Sequence, residues 1–138
     1  MRLITVHDGI YTMGLDELYE LLKERTVEQS ISHKTMPTYR EHVQFVNSRP
    51  YREWYLIEAR HEVVGSIYLT KQNEIGVFIF QKHQGHGYGP LAIILLMREH
   101  DGERLLANIN PNNKASIECF ERLGFKHIQN TYVLTTEE

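Results

Sequence analysis

The hydrophobic period changes along this chain, and that change constrains the fold more than any other feature. Residues 53–80 carry three short runs, EWYLIEA, VVGSIYL and EIGVFIF, rich in β-branched and aromatic residues. Only RHE and TKQN separate them. Runs this short and this closely joined read as three strands of an antiparallel meander. Helical periods precede them. LDELYELLKER (residues 15–25) sets Leu15, Leu18 and Leu22 on one face, with Asp16 and Glu17 in the first turn. TYREHVQFVNS reads as a second helix, with Pro37 just before it. Thr38 and Glu41 are spaced for a capping box, and Tyr39, Val43 and Val46 share a face.

On either side of this block the pattern continues. RLITV near the start alternates and reads as a strand. After the meander come a glycine-rich loop, a helix over 90–100 stopped by Gly102, and a strand RLLANI. NNKASIECFERLG reads as a helix, with Ile117, Phe120 and Leu123 on one face and Gly124 at its end. NTYVLT reads as a closing strand. The order is β-α-α-β-β-β-α-β-α-β. It predicts a mixed α/β domain over residues 1–138, without the regular βαβ alternation of a dinucleotide-binding fold.

Composition narrows the function classes. With 138 residues and 41% hydrophobic content, the chain can build a core without metals or staples. The net charge of −3, with both signs interspersed, gives no footprint for nucleic acid. The longest apolar run, PLAIILLM, is far short of the ~20 residues that span a membrane. MRLITVHDGIYTMG lacks the shape of a secretory signal. Cys119 is the single cysteine, in keeping with a reducing, cytoplasmic setting. The eight histidines fall in no metal-ligand spacing, so no metal is expected.

The loop QGHGYGP places three glycines in five residues between a strand and a helix. Helix starts present unpaired N–H groups, and glycines let the backbone approach an anion closely. A P-loop needs GxxxxGK[ST] and a dinucleotide fingerprint needs GxGxxG; neither is present. Taken alone, GHGYG is also compatible with a tight turn.

Gln84-Gly85-His86-Gly87-Tyr88-Gly89 fits [Arg/Gln]-x-x-Gly-x-Gly and resembles the acetyl-CoA pyrophosphate loop of the GNAT superfamily of N-acetyltransferases. NNKASIECFERLGF resembles that family's Asn-x-x-[Ala/Ser]-x-x-x-[Tyr/Phe]-x-x-x-Gly-Phe helix, with Asn113, Ser116, Phe120, Gly124 and Phe125 in register. The two motifs span roughly residues 74–125, and the element order is similar from end to end. The resemblance implies a mostly antiparallel sheet splayed between its fourth and fifth strands and flanked by about four helices. It also implies acetyl-CoA as co-substrate. The amides of Gly85, His86, Gly87, Tyr88 and Gly89, with Gln84, would hold the pyrophosphate. The backbone of Val77, Phe78 and Ile79 would pair with the pantetheine arm, and Asn113 would contact it or simply cap its helix.

The implied chemistry is direct attack of an amine on the thioester. Members that acetylate ribosomal-protein N-termini carry a Glu and a Tyr where this chain has Asn108 and Phe120. Neither residue here can act as base or acid. Glu74, at the start of the fourth strand, is the candidate base; its other reading is a solvated strand end. His83 ranks below it, on the phosphate side.

The acceptor is expected against the first two helices. Ser30, Ser32, His33, Tyr39, Arg40, His42, Arg49, Tyr51, Arg52 and Trp54 fall in or just after that region. Among them Tyr39, Arg49 and Trp54 are the candidate contacts. SISHKTMPTYREHVQFV resembles enzymes that acetylate 4-amino sugars on nucleotide carriers. A peptide N-terminus, a small amine, a non-catalytic acetyl-CoA sensor and a nucleotide-binding module remain alternatives. By analogy with similar domains, two copies are expected to pair through their last strands.

Overall fold

The computed structural model describes residues 1–28 and 35–135. Ser30, Ser32 and His33 therefore lie outside the described residues. The sheet contains β1 (Arg2–Thr5), β4 (Glu53–Ala59), β5 (Glu62–Leu69), β6 (Glu74–Ile79) and β7 (Leu106–Ala107), in the order β1-β4-β5-β6-β7. All neighbours are antiparallel except β6 and β7, which run parallel. A small hairpin, β2 (His7–Asp8) with β3 (Tyr11–Thr12), was not expected from the sequence. Its strands of two residues are too short to show a period.

Among the described residues, four helices flank the sheet: α1 (Leu15–Glu28), α2 (Tyr39–Asn47), α3 (Tyr88–Glu99) and α4 (Lys114–Arg122). One apolar cluster gathers Ile57, Ile67, Leu69 and Ile75 with Ala92, Ile93 and Leu96 of α3 and Phe120 of α4. The second gathers Trp54 and Leu56 with Leu18 and Leu21 of α1 and Val46 of α2. Both faces of the central strands are thus covered, so their runs read as nearly continuous apolar stretches.

The α2 boundary follows its local chemistry. Thr38 accepts from the Glu41 amide at 3.1 Å, and the Glu41 carboxylate accepts from the Thr38 amide at 2.9 Å. The Thr38 amide first, then the Thr38 hydroxyl, holds the Glu41 carboxyl below its ordinary pKa. The RHE connector works as a tight hairpin because Arg60 and His61 both take positive φ, 54° and 65°. That geometry is the one a two-residue hairpin turn demands.

Two strand expectations change. RLLANI shrinks to Leu106–Ala107, because the chain diverges from β6 after Ile75 pairs with Ala107. The expected closing strand NTYVLT is not formed; its Tyr132, Val133 and Leu134 are exposed. The edge it would need is only two residues long, too little ladder to hold another strand.

Candidate active site

Glu74 pairs with Leu106 and Ile75 with Ala107. From Gly76 to Ile79, β6 keeps β5 on one side and no strand among the described residues on the other. An open strand edge offers N–H and C=O groups to an extended ligand. Phe80 leads into a short 3-10 turn, Gln81–His83, and then the glycine loop.

Gly85 and Gly87 take φ of 83° and 77°, the left-handed region that suits glycine. Nothing lies within 4 Å of where a Cβ would sit on either one. Backbone conformation, not crowding, requires glycine at both positions. Gly87 caps α3, and the first bonded amide is Leu91, donating to the Gly87 carbonyl at 3.2 Å. Pro90 is the third residue of α3 rather than its first. That still suits a helix start, since no amide there has an intrahelical partner. The amides of Tyr88 and Gly89 remain at the positive end of the helix dipole.

These elements enclose a cleft of about 330 Å³. Of the ten cofactor positions read from the sequence, nine line it: Val77, Phe78, Ile79, Gln84, Gly85, Gly87, Tyr88, Gly89 and Asn113. His86 does not; its ring stacks on Tyr88, and Nδ1 lies 3.1 Å from the carbonyls of both His83 and Gln84. Two carbonyl neighbours call for a proton on Nδ1. Gln84 reaches back to β6, donating to the Ile79 carbonyl at 3.2 Å. Asn113 also caps α4, accepting from the Ser116 amide at 3.1 Å.

Where β6 and β7 part, Glu74 is held from two sides. Thr70 Oγ1 donates to its Oε1 at 3.2 Å, and Asn108 Nδ2 donates to its Oε2 at 2.5 Å. The Asn108 amide therefore meets a carboxylate from the facing strand. Phe120 is buried against Phe125 as an edge-to-face pair. Burial raises the pKa of the neighbouring Cys119 thiol, which disfavours a nucleophile there. His83 has its Nε2 3.2 Å from the Glu62 carboxylate, which Lys82 also approaches at 3.1 Å.

A smaller pocket of about 50 Å³ lies between α1, α2 and the sheet. Tyr51, Trp54, Tyr68 and Phe78 are among its walls. Tyr51 stacks on Tyr68 with ring centres 3.9 Å apart and planes 3° from parallel. Burial, more than the Tyr68 phenol, pushes the Tyr51 pKa up. Gly76 makes the arrangement possible, because a Cβ there would fall 2.1 Å from the Tyr68 ring. Trp54 is the one acceptor candidate that lines this pocket. Tyr39 donates to Asp16 at 2.5 Å and Arg49 donates to the Gly9 carbonyl; neither lines the cleft or the pocket.

Sequence reasoning did not single out Arg25 or Tyr68. Arg25 lies 3.8 Å over the Phe78 ring and lines both cavities. Gly76 inside a strand was the usable signal for a close approach at Tyr68. Arg25, on a charged helix face, carried none.

The sequence profile described as Acetyltransferase (GNAT) domain matches residues 9–126. The chain belongs to the GNAT acetyltransferase family. Its fold is similar to a ribosomal-protein-alanine N-acetyltransferase from Brucella melitensis, with TM-score 0.74 and 19% identity over 94% of this chain and 86% of that one. A putative acetyltransferase, yncA, from Salmonella typhimurium was solved with acetyl-CoA; it gives TM-score 0.70 and 17% identity over 91% and 80%. A chimeric spermidine N-acetyltransferase SpeG from Vibrio cholerae gives TM-score 0.71 and 16% identity over 94% and 84%. Comparison with curated proteins gives no significant match. As a GNAT enzyme the chain is an acetyl-CoA-dependent N-acetyltransferase that transfers acetyl to an amine. Among the described residues, no helix is long and apolar enough to cross a membrane and no cluster of metal-ligating side chains is found.

Proposed function

We propose that this GNAT enzyme acetylates an amino sugar on a nucleotide carrier, and that Glu74 is its general base. The observation that carries the site assignment is the open β6 edge from Gly76 to Ile79 beside the left-handed glycine loop. The amides of Gly85 to Gly89 seat the pyrophosphate, and Val77, Phe78 and Ile79 pair with the pantetheine arm. Asn113 reaches the same arm from α4.

The amine nitrogen attacks the thioester carbonyl carbon. The C–S bond breaks, CoA leaves as thiolate, and the proton lost by the amine passes to Glu74, directly or through water. Asn108 and Thr70 hold the carboxylate at the mouth of the splay, so it needs no reorganisation before accepting that proton. Amides of β6 stabilise the developing oxyanion.

The aromatic lining supports the sugar-nucleotide acceptor, since Tyr51, Tyr68 and Trp54 line a pocket that shares Leu21, Arg25 and Phe78 with the cleft. This reading keeps Trp54 as the acceptor contact and leaves Tyr39 and Arg49 to their structural bonds. A cytoplasmic site of action goes with it. The test is CoA release from acetyl-CoA across amino-sugar nucleotides, alanine-led peptides and polyamines. Turnover confined to peptides would overturn the acceptor. Absence of turnover with every amine, despite acetyl-CoA binding, would overturn catalysis.

A further inference from the structure

Three residues line both the cofactor cleft and the aromatic pocket: Leu21, Arg25 and Phe78. They join the two cavities. Arg25 is the charged member. Its guanidinium lies 3.8 Å over the Phe78 ring, and its charge is felt at the Tyr51 phenol, whose pKa it pulls down against the larger effect of burial. The ion pairs among the described residues use Arg2, Lys23, Arg52, Lys82, His83 and His100, not Arg25.

No carboxylate lines the aromatic pocket among the described residues. The cleft has one, Glu24, and its Oε1 accepts from the Gln81 amide at 3.0 Å. A guanidinium held by a ring face keeps its in-plane N–H donors for an oxygen ligand. The pocket beside it has room for only a few heavy atoms, since each water-sized site needs roughly 10–15 Å³.

Building on the acetyl-transfer reading of this cleft, we propose that Arg25 is the specificity-determining residue of the acceptor site. It donates to a phosphoryl oxygen of an anionic acceptor, while a small uncharged substituent of that acceptor enters the aromatic pocket. The same charge rejects polyamines. A second ammonium in the aromatic pocket would face the guanidinium with no carboxylate in that lining to offset it, since Glu24 lies on the cleft side and accepts from the Gln81 amide.

The experiment pairs kinetics with binding. Acceptors are UDP-glucosamine, glucosamine 1-phosphate, an alanine tripeptide and spermidine, tested with the wild type, R25K and R25Q. Acetyl-CoA affinity is measured separately by calorimetry. The expected result is wild-type preference for the phosphorylated amines and a KM for them raised about tenfold or more in R25Q. R25K should restore part of that loss, and acetyl-CoA affinity should stay within about twofold in both variants.

Weakened acetyl-CoA binding with unchanged acceptor KM would assign Arg25 to the cofactor and overturn the proposal. So would preference of the wild type for spermidine or for the tripeptide. If nothing turns over, the transferase reading fails by itself. Arg25 is then tested by titrating UDP-glucosamine into the acetyl-CoA-saturated protein. Equal affinity in wild type and R25Q, or no binding to either, overturns the proposal.

Discussion

The cleft proposed for the acetyl donor and the pocket proposed for the acceptor are built on different principles. Donor-side groups come mainly from one continuous stretch, residues 77–89, and they are mostly backbone. Acceptor-side groups are side chains gathered from α1, α2, β4, β5 and β6, with Tyr51 from the α2–β4 connection. A ligand read by backbone leaves a local trace, because the backbone must bend in ways that select glycine. A ligand read by converging side chains leaves no local trace, since no spacing in the chain encodes the convergence.

That contrast can be broken at several points. The largest effect is expected at Glu74. E74Q should lower kcat on the order of 10²-fold or more while acetyl-CoA affinity stays unchanged, because the change touches proton transfer and not the cleft. A wild-type rate in E74Q would end its role as base. Next is Gly87, at φ 77°. G87A adds a left-handed penalty of about 1–2 kcal/mol; the free loop relaxes away from that conformation and binding must restore it, so the acetyl-CoA Kd should rise roughly tenfold. Calorimetry on the folded variant decides it, and an unchanged Kd would show that the loop amides do not bind the donor.

A smaller effect is expected from the α2 cap. T38A removes the hydroxyl that accepts from the Glu41 amide, while the backbone amide of residue 38 still donates to the Glu41 carboxylate, and should cost about 1 kcal/mol of stability. Thermal unfolding measures that cost. Acetyl-CoA binding should be untouched, since α2 contributes to the aromatic pocket and not to the cleft.

The smallest effect concerns pH. Arg52 first, then His100, holds the Glu103 carboxyl down at about 2. A depressed carboxylate stabilises the fold above its unfolded value and loses that contribution as pH falls through its folded value. The linked stability should therefore be complete above the ordinary carboxyl value of 4.5 and fade toward about 2. E103Q should flatten the stability-pH slope in that window by about one proton. An unaltered slope would mean that the cluster is not coupled to folding.

Much of the fold was legible because the strands and helices keep clean periods. The meander over residues 53–80, the capped helix at Thr38 and the helix ending at Gly124 all follow from local patterning. NTYVLT misled for a physical reason. Its alternation suits a strand, yet a strand exists only against a partner, and β7 offers an edge of two residues. On the donor side, nine of ten positions read from the motifs line one cleft. On the acceptor side, of the three candidate contacts only Trp54 lines the pocket, together with His42 and Tyr51 of the same region, while Tyr39 and Arg49 are tied to Asp16 and Gly9.

The sequence by itself determined the central meander, the four helices, the glycine loop and the family, because each is written in short-range spacing and backbone preference. Only the tertiary structure decided which side chains meet. It brought Asn108 to Glu74 across the splay and laid Arg25 on Phe78. Both contacts join residues more than thirty positions apart, as the 34-residue separation of Asn108 and Glu74 shows. Burial of apolar strand and helix faces drove those approaches, and burial has no register along the chain.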